Sequence, residues 1–115
     1  MVRKSSEMDT IQHESMRGGT GTVSMKEIVE KNELNHSRLF SLVTVPIGGS
    51  IGRHEHINET EYYYILSGNG AVGEGSGEIE VLPGDMVVTG NGDSHSIRNS
   101  GSKSLEFLAV IMLDD

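Results

Sequence analysis

The sequence has no cysteine, no tryptophan and only two prolines, and it carries nine Lys plus Arg against 17 Asp plus Glu. Each shortage removes a class of function. Without cysteine there is neither a disulfide framework nor a thiolate metal site, which suits a reducing cytoplasm. A net charge of −8 repels phosphate backbones and anionic headgroups, so neither nucleic acid nor a membrane surface is an expected partner. The longest apolar run, Phe107 to Leu113, is far below the roughly 20 residues of a spanning helix. Met1 to Ser15 is polar and charged, without the apolar stretch of a secretory signal, so a cytoplasmic location is expected.

At 115 residues the chain has room for one hydrophobic core. Its 15 glycines are spread along the sequence and read as turns between many short strands. Strands are expected at Leu39–Val45, Ser50–His56, Glu61–Leu66, Ala71–Gly73, Glu78–Leu82, Asp85–Thr89, Ser94–Arg98 and Leu105–Leu113, each bounded by Gly, Asn, Asp or Ser. Eight short strands predict an all-β sandwich or barrel. Residues 1–15 read as an N-terminal arm, frayed or docked, and 16–115 as the single domain. Between them, Ser24-Met25-Lys26-Glu27 has the spacing of a capping box opening a helix to Lys31, while Gly21 to Ile28 reads equally as extended chain. The two readings of residues 24–31 stay open. Leu105–Leu113 and much of Leu39–Val45 are apolar on both alternating faces, so a second surface must cover them. A homodimer is expected.

His54 and His56 are two residues apart, which in a strand projects both imidazoles from one face with Cα atoms about 7 Å apart. Glu61 follows a short loop, read as a chain reversal that returns a carboxylate beside the histidines. His95 lies much later, and only a folded barrel can carry it to the same point. Three imidazoles and a carboxylate suit one divalent ion of the series Mn, Fe, Co, Ni, Cu and Zn rather than Ca. Around these residues stand Gly48, Gly68, Gly84, Gly92 and Asn99 at fixed offsets.

In this spacing the sequence resembles the cupin superfamily, whose motifs are G-x5-H-x-H-x4-E-x6-G and G-x5-P-x-G-x2-H-x3-N. The matching segments are GGSIGRHEHINETEYYYILSG, Gly48 to Gly68, and GDMVVTGNGDSHSIRN, Gly84 to Asn99. The exception is Gly90, where the family has proline; that position shapes a turn and ligates nothing. The resemblance implies a double-stranded β-helix, or jelly-roll, barrel with metal ligands His54, His56, Glu61 and His95. It also implies a usually dimeric protein holding one Mn, Fe, Ni or Zn ion.

Alternation along the strand of Glu61 puts Tyr63 and Ile65 on the metal's side and turns Tyr62 and Tyr64 outward. Tyr63 is the candidate substrate-binding residue. Arg53 and Glu55 face away from the metal, His13 and His36 read as solvent-exposed, and Arg17 as a solvated charge within reach of a pocket mouth. Asp93 and Glu106 have no assigned role. Among small single-domain cupins the pattern is similar to oxalate decarboxylase-like proteins. That similarity implies a small carboxylate ligand and either decarboxylase- or dioxygenase-like chemistry. The alternative is a non-catalytic metal-dependent module that binds or senses a small acid or sugar. A phosphomannose-isomerase-like role rests on the barrel alone. The oxalate decarboxylases use an arginine three residues before the first histidine; here that position is Ile51, and no lid carrying an acid is evident.

Overall fold

The structure, a computed structural model, describes residues 1–115. Ten strands account for the regular structure: β1 Thr10–Glu14, β2 Thr22–Glu27, β3 Ser37–Val45, β4 Ser50–Glu55, β5 Glu59–Ser67, β6 Gly70–Glu74, β7 Gly77–Val81, β8 Met86–Thr89, β9 Ser94–Asn99 and β10 Leu105–Leu113. There is no α-helix, and three 3-10 turns, Ser5–Glu7, Met16–Gly18 and Lys31–Glu33, complete the chain. All pairings are antiparallel. One sheet has the order β1-β2-β3-β10-β5-β8 and the other β4-β9-β6-β7.

The eight strands read from the sequence are present, and two more precede them. Residues 24–31 do not form a helix. Val23 and Met25 are buried while their neighbours are not, a period of two that fits a pleated strand. The Ser24 hydroxyl, which a capping box would aim at its own helix, instead donates to Gln12 Oε1 on β1 at 2.8 Å. β1 in turn pairs with β2 from Thr10 to Glu14, so this part of the arm is an edge strand of the larger sheet.

The core lies between the sheets. Val23, Val43, Val45, Ile65, Leu105 and Phe107 from the larger sheet meet Val72 and Ile97 from the smaller one, each no more than 1% exposed. β3 and β10 supply this core from alternate positions only: Val43, Val45, Leu105, Phe107, Ala109 and Ile111 point in. Their other faces carry Phe40, Leu42, Leu108 and Val110, half-buried on the outside of the sheet.

Where Gly90 stands in place of the family's proline, the turn is held by other means. Asp93 N donates to Gly90 O at 2.9 Å, Gly92 N to His56 O at 2.9 Å, and His56 N to Asp93 O at 3.0 Å. This ties the loop before β9 directly to the backbone of a site histidine. Asp93 acts here through its main chain. Asn99, buried at the end of the second motif, donates from Nδ2 to Val45 O and Lys103 O at 3.0 and 2.8 Å and accepts from Gly101 N. Its role is to close the loop before β10.

Candidate metal centre

The four sequence-identified residues come together at one end of the core. His54 and His95 are cross-strand partners on β4 and β9, and Glu61 reaches across from β5 in the opposite sheet. This corrects the expected local geometry: β4 and β5 are not a hairpin pair, and the strand of His95 is the immediate neighbour of the strand of His54. The short loop 56–58 is a crossover between the two sheets.

A bulge sets the direction of the histidines. The register between β4 and β9 shifts between Ile51 and His54. Strict alternation from inward-facing Ile51 would point Arg53 and Glu55 inward; the extra residue instead turns His54 and His56 to the interior and leaves Arg53 and Glu55 exposed. Arg53 is used on the outer surface, donating to Ser94 Oγ at 2.9 Å.

His56, His95 and Glu61 are 1%, 1% and 4% exposed, and the ligating atoms of all four residues lie within 4.8 Å of one another. His95 Nε2 is 3.0 Å from both His54 Nε2 and His56 Nε2 and 2.9 Å from Glu61 Oε1. His56 Nε2 is also 2.9 Å from Glu61 Oε1. One Nε2 has a single lone pair or a single proton, so hydrogen bonding alone cannot satisfy three such neighbours.

The partners of the remaining ring nitrogens place the proton in two of the three rings. His54 Nδ1 donates to Gly52 O at 2.8 Å, and His56 Nδ1 donates to Glu59 Oε2 at 2.6 Å. A carbonyl and a carboxylate can only accept, so Nδ1 carries the proton in both rings and a neutral ring keeps its Nε2 lone pair free. His95 Nδ1 is 2.8 Å from Thr89 Oγ1, which can accept in the same way. With Thr89 accepting, the Nε2 lone pairs of all three rings and a carboxylate oxygen converge on one point, an arrangement that a cation stabilises. The separations of His95 Nε2 and Glu61 Oε1 from the other donor atoms run from 2.9 Å to the 3.6 Å between His54 Nε2 and Glu61 Oε1, the spacing of donors around a single small cation. The residues present fit one divalent metal ion.

Glu59, Arg38 and Thr89 support the centre and were not singled out in the sequence. Arg38 clamps Glu59 with Nε to Oε1 at 2.6 Å and Nη2 to Oε2 at 2.7 Å. That guanidinium first, and His56 after it, hold the Glu59 carboxyl down to about 2 against the opposing effect of burial. The hydrogen bond to Glu61 raises the His56 pKa, burial opposes it, and Glu59 adds to the rise. Burial would raise Glu61, but its contacts with His54, His56 and His95 outweigh that and keep it below the usual carboxylate range. A signal for Glu59 was available, since it lies two residues before Glu61 and so on the same face of β5.

The centre opens into a cavity of about 190 Å³ between the sheets. Its walls are mostly apolar, including Ile11, Met16, Met25, Leu39 and Ile51, with Tyr63 beside the ligands. Tyr63 is buried as its alternation requires; its ring stacks on His95 at 5.1 Å and 20° and touches Phe107 at 4.4 Å, joining the site to the core. Burial, then the adjacent Glu61 charge, push the Tyr63 hydroxyl well above its ordinary pKa, so it stays protonated. Tyr62 and Tyr64 are 41% and 47% exposed on the outer face. His36 is exposed as expected. His13 is not: β1 brings it half-buried to the cavity wall, and Arg17 lines the same cavity.

The comparisons agree with this geometry. The family model for the cupin domain matches residues 41–111. A Thermotoga maritima protein named oxalate-binding protein is 43% identical over 114 residues, covering 98% of this chain and 94% of the relative. The crystal structure of a predicted oxalate decarboxylase from Thermotoga maritima superimposes with a TM-score of 0.92 at 43% identity, covering 98% of this chain and 99% of the other. The polyketide cyclase RemF of Streptomyces resistomycificus has a TM-score of 0.78 at 17% identity, covering 100% of this chain and 80% of that one, which shows shared fold alone. With the motif segments, the two-sheet barrel and the family match in agreement, the chain belongs to the cupin family.

Proposed function

We propose that this cupin binds one divalent metal ion through His54, His56, Glu61 and His95 and uses it to hold a small carboxylate. The observation that carries the reading is the convergence of three Nε2 atoms and the Glu61 carboxylate at the end of a cavity. A divalent ion with one carboxylate ligand keeps a local charge of about +1, and four protein donors leave about two positions of an octahedron for a guest. A small oxygenated anion matches both. The name of the Thermotoga relative points the same way. Tyr63, protonated and buried beside the ligands, can donate to a bound carboxylate oxygen.

The binding role is favoured over turnover because the acid and base groups nearest the metal are already committed. Glu61 and the three histidines are ligands, Glu59 is tied to Arg38, and Tyr63 cannot act as a base at neutral pH. When bound, the ion supplies Lewis acidity to an oxygen of the guest. Ile51, buried where oxalate decarboxylases place an arginine, offers no guanidinium to clamp a reacting substrate. Decarboxylation of oxalate is therefore expected to be weak or absent.

The same reading includes a homodimer formed through the outer face of the larger sheet. Tyr62 lies between Val88 and Val110, and Tyr64 between Met86 and Leu108, in one continuous apolar surface. Met86 and Val88 are 62% and 47% exposed. Such contiguous patches are a feature of protein interfaces.

The test is calorimetric titration of oxalate into the protein loaded with Mn and into the same protein stripped with chelator. Binding that requires the metal, with no formate or carbon dioxide released, is expected. Binding of equal strength without metal would refute the proposal, and stoichiometric product release would replace the binding role with an enzymatic one.

A further inference from the structure

We propose that Arg17 is the second anchor of this site: its guanidinium binds the far carboxylate of a small dicarboxylic acid whose near carboxylate is held at the His54, His56, Glu61 and His95 cluster. The inference rests on the small-acid reading above and extends it to the ligand's charge and to the residue that selects it.

Arg17 differs from the other four arginines in having no partner in the protein. Arg3 pairs with Glu33, Arg38 with Glu59 and Arg98 with Glu78, while Arg53 hydrogen-bonds Ser94. In a chain with 17 acidic residues an unpaired arginine is not short of possible partners. Its position explains what it faces instead. Arg17 is solvent-accessible and lines the cavity that holds His54, His56, Glu61 and Tyr63, which places it at the mouth.

The backbone beneath it is fixed in a conformation that side-chain-bearing residues seldom adopt. Arg17 has φ 55° and ψ 30°, and Ser15, two residues earlier, has φ 50°. The turn cannot relax, because it is pressed onto β4. A Cβ on Gly52 would lie 2.1 Å from Arg17 O, and one on Gly19 would lie 2.2 Å from Ser50 O. Thr20 N donates to Ser50 Oγ at 2.9 Å, and Ser50 N donates to Thr20 O at 2.8 Å. Glycine would make this turn without the steric cost, so the arginine at position 17 contributes only through its side chain. The clamped turn fixes the backbone from which an unpaired guanidinium lines the cavity, and its planar fork of donors matches a carboxylate.

Lys31 also lines the cavity, but it is a solvated point charge without the planar fork that matches a carboxylate. The apolar walls between the mouth and the metal lower the local dielectric and strengthen a guanidinium–carboxylate contact.

The test titrates the Mn-loaded wild type, Arg17→Gln, Arg17→Gly and Lys31→Gln with oxalate, malonate and succinate, and with acetate as a single-ended control. The metal content and melting temperature of each variant are measured in parallel. For the dicarboxylate that wild type binds most tightly, both Arg17 substitutions are expected to weaken binding at least tenfold. Acetate should change by less than twofold, Lys31→Gln should resemble wild type, and metal content should be the same in all four. The melting temperature of Arg17→Gly should equal or exceed that of wild type, a result a purely structural arginine would not give. Equal dicarboxylate affinity in wild type and both Arg17 variants, or an equal loss for acetate, or a loss confined to Lys31→Gln, would overturn the Arg17 assignment alone. Wild-type protein that binds metal but none of the four acids would overturn the small-acid reading and this inference with it.

Discussion

His56 Nδ1 lies 2.6 Å from Glu59 Oε2, and that same carboxylate is gripped by Arg38 through both of its oxygens. The ring is thereby locked in one tautomer and one orientation, with Nε2 aimed at the other ligands. Partners of this kind commonly contribute 10- to 100-fold to metal affinity. Glu59→Ala is expected to weaken metal binding by about that factor, measured by competition with a chelator of known strength. Glu59→Gln, whose amide oxygen can still accept from Nδ1, should lose less.

Substitution of His95 tests the ligand assignment by a different route. His95 Nε2 is the atom nearest to all three other ligands, so His95→Ala should lower metal affinity far more than Glu59→Ala. The control is His36→Asn, which sits outside the cavity and suits the φ of 54° at that position better than alanine would. Metal retained equally by His95→Ala and His36→Asn would show the ligand set to be wrong.

In the metal-free protein the two coupled groups act on opposite sides of neutrality. Glu59, lowered to about 2, contributes stability that is present above its ordinary value near 4.5 and is lost as pH falls toward 2. That contribution is at most about 3 kcal/mol, less in practice because Arg38 is partly exposed. His56, raised by Glu61 and Glu59, contributes stability present below its ordinary value of 6.5 and lost as pH rises through the raised value. Thermal melts of the apo protein should therefore peak between about pH 5 and 6, and Glu59→Gln should flatten the acid limb. Metal binding requires deprotonated imidazoles, so the increase in melting temperature on adding metal should grow with pH over the same range.

Removing the metal should lower stability without unfolding the chain. The core between the sheets is formed by residues such as Phe107, Ile65 and Ile97 that do not depend on the ion. Linkage sets the difference at roughly 3 to 4 kcal/mol when metal is at 100 to 1,000 times its dissociation constant. Calorimetry with and without chelator should show two cooperative melts at different temperatures; loss of the transition in chelator would mean that the metal supplies the fold.

Light scattering at micromolar concentration should give the mass of a dimer, and Tyr64→Glu, placing a charge at the centre of the outer face, should give a monomer. A wild-type monomer would remove the dimer from the account.

Much of the site was legible because His54 and His56, and likewise Glu61 and Tyr63, stand two residues apart on their strands, while the resemblance to the cupin motifs supplied His95. The shared face of His54 and His56 and the inward turn of Tyr63 follow from a period of two. Less local relations were hidden. The Ser24 capping-box pattern also fits a strand, and only burial of Val23 and Met25 under the opposing sheet separates the two. The return of Glu61 across the sandwich, rather than along a hairpin, depends on which strands pair. The bulge at Gly52 and Arg53 reflects the register of β4 against β9. Arg38 and Glu59 are 21 residues apart, and His13 reaches the cavity only because β1 docks on β2.

The central claim is a single divalent ion at His54, His56, Glu61 and His95, and metal stoichiometry tests it most directly. Protein purified without chelator and then equilibrated in turn with Mn, Fe, Ni and Zn should hold one ion per chain by elemental analysis for at least one of these metals, and His95→Ala should hold much less under the same conditions. Wild-type protein that retains none of the four metals would contradict the account.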